Sequence, residues 1–133
     1  MALVVLDASV IIGFLDPEDA LHDACVAALS EYQHDDFGIP ASVYAEILVA
    51  PYRTSAEAVA SVEAFLSDFA VKVEPITAAI ARAAARLRSG RRSLRIPDAL
   101  VLASADEVGA DVVLTGDESW TKISRHVTVV RAG

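Results

Sequence analysis

Leu3-Val4-Val5-Leu6-Asp7 is a run of four apolar residues that stops at a carboxylate. Polar and apolar positions do not alternate in it. It therefore reads as a strand buried on both faces, which is the habit of parallel sheets. The segments that follow decide whether that reading fits the rest of the chain. Ser9–Leu15 has the composition of a short helix ending near Asp16-Pro17, and Asp19 is placed to cap a helix to about Tyr32. The inner face of that second helix carries Leu21, Cys25, Ala28 and Leu29. A brief strand, Phe37-Gly38-Ile39, closes at Pro40. Ser42 is placed to cap a helix through Ala50 that Pro51 is expected to stop.

Thr54 and Glu57 have capping-box spacing, which predicts a helix to about Phe69 with Val59, Val62, Phe65, Leu66 and Phe69 as its apolar stripe. Val71–Glu74 reads as a third strand. Thr77 caps a helix to about Ser89, with Gly90 at its exit. Pro97 suits the first turn of a helix to about Val108. Asp111–Leu114 and Val127–Val130 read as the last two strands. Strands alternating with helices imply right-handed crossovers onto a parallel sheet. The expected fold is a three-layer α/β/α sandwich around a mostly parallel sheet of about five strands, formed by residues 1–133 as one domain.

Composition narrows the function classes. The chain has 133 residues, 54% of them hydrophobic and 25 of them alanine, which is too apolar for a disordered segment. Aromatic residues are only 6%, too few for a platform that stacks single-stranded bases. A single cysteine, Cys25, excludes a disulfide scaffold and suits a reducing cytoplasm. No apolar run approaches the ~18 residues of a membrane span. The first residues lack a basic flank, so no signal peptide and no membrane partner are expected.

The net charge of −8 argues against a simple nucleic-acid binder, but it is unevenly spread. Residues 1–81 hold 13 acids and two bases. Residues 82–95 hold six arginines and no acid. Residues 96–133 hold six acids and three bases. An acidic body thus carries one dense basic strip, which is either a solvated helix face or a contact for phosphates.

In open parallel sheets the ligand crevice lies at the carboxyl ends of the strands. Asp7 follows the first strand and Asp117 follows the fourth, in Leu114-Thr115-Gly116-Asp117. Glu46 sits in an otherwise apolar helix, and Asp98 lies in the first turn of another. All four can face the same edge. Gathered carboxylates repel, and burial adds to the cost. A hard divalent cation, Mg²⁺ or Mn²⁺, relieves both and prefers oxygen ligands. The histidines lack zinc spacing. Ser9 and Thr115 flank the site as hydroxyls that orient a carboxylate or hold a water. Read singly, Asp7 and Asp98 also serve as helix-end residues and Asp117 as a turn residue.

Taken in order, Val5-Leu6-Asp7-Ala8-Ser9, Glu46, Pro97-Asp98-Ala99-Leu100 and Leu114-Thr115-Gly116-Asp117 resemble the PIN domain, in detail its VapC-type bacterial toxins. The likeness spans essentially the whole chain. It implies a Mg²⁺- or Mn²⁺-dependent endoribonuclease of a toxin–antitoxin pair, bacterial and cytoplasmic. Carried over by position, it implies Asp7, Glu46, Asp98 and Asp117 as the catalytic, metal-holding quartet, with Ser9 and Thr115 in support. It further implies a homodimer, a cognate antitoxin over the site, and products ending in 5′-phosphate and 3′-hydroxyl. One departure is Trp120, where the family commonly has Phe.

With the quartet in place, Arg91, Arg92 and Arg95 become candidates to hold RNA phosphates, since the strip leads into the helix bearing Asp98. No serine is paired with a histidine, so hydrolysis without a covalent intermediate is expected. A receiver domain fits poorly, because no Lys ends the last strand. A haloacid dehalogenase phosphatase would want Asp where Ser9 stands. The rival from another class is a non-catalytic acidic module that binds a basic peptide.

Overall fold

A computed structural model describes residues 1–133. The elements run β1 (Leu3–Leu6), α1 (Ala8–Leu15), α2 (His22–Glu31), β2 (Asp36–Pro40), α3 (Ala41–Thr54), α4 (Ala56–Asp68), β3 (Lys72–Glu74), α5 (Ala78–Ser89), α6 (Ile96–Glu107), β4 (Val112–Thr115), a 3₁₀ turn (Glu118–Lys122) and β5 (Val127–Val129). The sheet order is β3-β2-β1-β4-β5, and every pairing is parallel. The steps from β1 to β2 and from β2 to β3 run one way along the sheet. The step from β3 to β4 runs back past both, so right-handed crossovers send helices to both faces. The result is the expected α/β/α sandwich, with five strands.

The opening run occupies the centre. Val4, Val5 and Leu6 are buried between β2 and β4, with Leu6 level with Leu114. A strand with neighbours on both edges and helices on both faces meets no water, which explains its unbroken apolar sequence. All four phenylalanines gather where α1, α4 and β2 meet. Phe65 lies 5.2 Å from Phe14 and 4.8 Å from Phe69, and Phe37 lies 6.0 Å from Phe69. The stripe read on α4 is the buried face of that helix, through Val62, Phe65 and Leu66.

Several boundaries differ from the sequence reading. Pro51 does not stop α3, which continues to Thr54. The missing amide falls in the helix's last turns, where Thr54 Oγ1 donates to the Ala50 carbonyl and the Ser55 amide donates to the Pro51 carbonyl. The cap of α4 is accordingly Ser55, whose Oγ accepts from the Ala58 amide, and not Thr54. Asp19 makes a turn instead of a cap: its Oδ1 accepts from the Leu21 amide, and α2 begins at His22. The 3₁₀ turn at Glu118–Lys122 was not read in the sequence at all.

Candidate active site at the carboxyl ends of the central strands

The chain leaves β1 toward β2 and leaves β4 toward β5, on the opposite side. The connections at the carboxyl ends of these two paired strands therefore diverge, and a crevice opens between them. Asp7 lies at its floor. Its amide donates to the Leu114 carbonyl at 2.9 Å, so the end of β1 is stitched to β4. Its Oδ1 accepts from the Ala8 amide at 2.8 Å and caps α1. Its Oδ2 accepts from Ser9 Oγ at 2.9 Å and from Thr115 Oγ1 at 2.8 Å.

The two hydroxyls also accept from the loop beyond β4. The Gly116 amide donates to Ser9 Oγ and the Asp117 amide to Thr115 Oγ1, both at 3.1 Å. Thr115 is fully buried, and its hydroxyl is satisfied on both sides. Gly116 packs closely here: a Cβ would sit 2.8 Å from Leu21 Cδ1, so that side chain would have to shift. Asp7 thus has both of its readings at once, helix cap and anchor of the crevice.

Electrostatics tie the other carboxylates to it. Burial pushes the Asp7 carboxyl above the ordinary aspartate range, against its three hydrogen bonds, and the Asp117 charge pushes the same way. Partial desolvation and then the charge of Asp7 raise Asp98, with Arg95 opposing. Glu46 is raised by desolvation, then by Asp7 and Asp98. Its side chain is nevertheless exposed despite its apolar sequence neighbours: Glu46 stands at the rim, where α3 meets solvent. Asp117 is exposed too, and its Oδ1 accepts from the Ser119 amide and hydroxyl as the cap of the 3₁₀ turn.

The fold therefore brings Asp117 into electrostatic reach of Asp7 and Asp98, and Glu46 into reach of the same two. In this conformation no three His, Cys, Asp or Glu side chains stand close enough together to grip a metal ion. The donors are hard oxygens, and three of the four carboxyls are held above their ordinary range. Such a set suits a hard divalent cation and not a soft one.

The arginines divide. Arg95 Nε lies 3.9 Å from Asp98 Oδ2. Arg91 lines a cavity of ≈ 230 Å³ beside Asp98 and Asp117. Arg92 is exposed and borders neither this cavity nor the larger one of ≈ 620 Å³ between α5, α6 and β4. Lys122, which the sequence reading did not single out, lines the smaller cavity with Arg91. Its position depends on the unread 3₁₀ turn, so no sequence pattern pointed to it.

The family model of the PIN domain matches residues 4–126. The chain belongs to the PIN domain family. Among solved structures, this PIN domain is similar to a toxin–antitoxin complex from Klebsiella pneumoniae, with a TM-score of 0.79 at 19% identity over 96% of this chain and 98% of that one. It is similar to VapC20 of Mycobacterium tuberculosis, described as a toxin that cleaves the sarcin–ricin loop, with a TM-score of 0.73 at 19% identity over 91% and 95%. It also matches FitAcB from Neisseria gonorrhoeae, with a TM-score of 0.73 at 21% identity over 97% of each chain. At these identities the likeness concerns the fold. No curated protein matches this PIN domain in sequence. None of its helices is long and apolar enough to cross a membrane.

Proposed function

We propose that this PIN domain is a metal-dependent endoribonuclease, the toxin of a bacterial toxin–antitoxin pair acting in the cytoplasm. The observation that carries the reading is Asp7. It is a half-buried carboxylate at the end of the central strand, locked by Ser9 and Thr115 and raised above its ordinary range beside Asp117. The solved toxins that share the fold support the toxin part.

Asp7, Glu46, Asp98 and Asp117 are the side chains that would hold Mg²⁺ or Mn²⁺. Such an ion, when bound, supplies a nucleophilic water and neutralises charge on the phosphoryl oxygens. The chain's own part is positional. Ser9 and Thr115 fix the Asp7 carboxylate, so its orientation needs no rearrangement when charge develops nearby. Asp98 and Glu46, both raised by Asp7, give up protons more readily when positive charge enters the crevice. Arg91 holds a substrate phosphate beside them, while Arg95 tempers Asp98. Arg92, fully outside the crevice, has the weakest claim to a phosphate. A cognate antitoxin and a second copy of the chain are the proposed protein partners.

The test is direct. Asp7→Asn and Asp98→Asn abolish RNA cleavage in Mn²⁺ while far-UV circular dichroism and cooperative melting stay native. Calorimetric titration of Mn²⁺ gives binding to the wild type and none to Asp7→Asn. Normal cleavage by either variant would remove the quartet. Equal Mn²⁺ heats for both proteins would favour a non-catalytic acidic module.

A further inference from the structure

The cavity of ≈ 230 Å³ beside Asp98 and Asp117 is lined by Arg91, Ser93, Ser119 and Lys122. Three ion pairs exist in the protein: Lys72 with Glu74, Arg95 with Asp98, and Arg131 with Glu118. Neither Arg91 nor Lys122 takes part in one. Both share the cavity wall with two carboxylates, Asp98 and Asp117, without pairing to either. The Arg91 guanidinium makes no hydrogen bond within the chain; its backbone amide donates to the Arg88 carbonyl, and its carbonyl accepts from the Leu94 amide and from Arg88 Nη1. Two free cations and the Ser93 hydroxyl face one small hollow that adjoins the candidate catalytic carboxylates. A single dianionic or monoanionic oxygen cluster satisfies all of them.

We propose that this cavity seats the RNA phosphate next to the one being cleaved, with Arg91 and Lys122 as its two cations. The proposal rests on the ribonuclease reading, which puts the scissile phosphate at the carboxylates on the cavity's wall. A strand whose next phosphate is gripped here cannot slide along the crevice. Lys122 is thereby a positioning residue, working through the substrate and not on the reacting atoms.

The experiment uses the full chain carrying Asp7→Asn and a short single-stranded RNA, with binding followed by fluorescence anisotropy. The RNA is made as a series, each member having one phosphate replaced by an uncharged methylphosphonate. One position next to the cleavage site is expected to weaken binding by roughly tenfold, the scale of a charge-assisted hydrogen bond. In protein that also carries Lys122→Ala, that replacement costs nothing further. Lys122→Ala should also lower the slope of log affinity against log salt by about 0.7, one phosphate on a single strand. Lys122→Arg should restore both.

If no position in the series couples to Lys122, the proposal is overturned, and a cavity that takes a partner protein's carboxylate would give that result. Cleavage of the unmodified RNA by the wild type is measured alongside. Coupling without cleavage defeats the ribonuclease reading and leaves the phosphate site standing. Cleavage without coupling does the reverse.

Discussion

The carboxylate of Asp7 meets three donors and is still held above its ordinary range, because burial outweighs them. Asp98 and Glu46 are raised as well. A carboxyl that binds its proton more tightly in the fold than in the unfolded chain stabilises the fold most below its unfolded value. These values are 3.8 for Asp and 4.5 for Glu. That contribution is lost as pH rises through the raised folded values. Without divalent metal, the melting temperature of Asp7→Asn should therefore rise above that of the wild type by a margin that widens as pH climbs from about 3.8 through the raised folded value. A margin constant across that range would contradict the raised carboxyl. At this scale much of the site was legible, because Asp7, Ser9 and Thr115 lie within two residues of strand ends. Glu46 was legible for the wrong reason: its apolar neighbours in sequence are not its neighbours in space. Lys122 depended on a turn that leaves no periodic signal.

Helix α1 carries Gly13 on its buried side, against α2. A Cβ at Gly13 would come 2.7 Å from Cys25 Sγ, closer than carbon and sulfur can rest. Burial pushes the Cys25 thiol up to about 11, so it stays protonated and serves as packing. Gly to Ala in an exposed helix gains about 1 kcal/mol. Gly13→Ala should instead lose about 1–3 kcal/mol by overpacking. Adding Cys25→Ala should recover most of that loss, and chemical denaturation of the four proteins in the cycle measures it. Additive losses would mean that the helices do not meet as described. Element identities were readable wherever periodicity ran long, as on α4 and α5. They failed where one residue carries the boundary. Pro51 sits close to the end of α3 and does not stop it, and Ser55 outcompetes Thr54 for the α4 cap because α3 keeps Thr54 within its last turn.

Over the whole molecule, the charge of −8 makes the fold repel itself, while under the proposed function the arginine strip attracts phosphates. Salt screens both, since the Debye length falls to about 8 Å near 0.15 M. Raising sodium chloride from low concentration should thus raise the melting temperature and lower the rate of RNA cleavage in the same samples. Both quantities moving in one direction would refute this division of charge. The net charge alone gave no sign of it; only the distribution along the chain did.

The Thr115 hydroxyl that fixes Asp7 comes from 108 positions later in the chain. During synthesis at roughly 5–20 residues per second, Asp7 waits on the order of 5–20 s for that partner. Strand β4, the inner neighbour of β1, arrives equally late. A nascent chain therefore has no assembled crevice until synthesis has passed Thr115. Whatever activity the crevice carries is withheld until that point, and a shorter nascent chain is inert there.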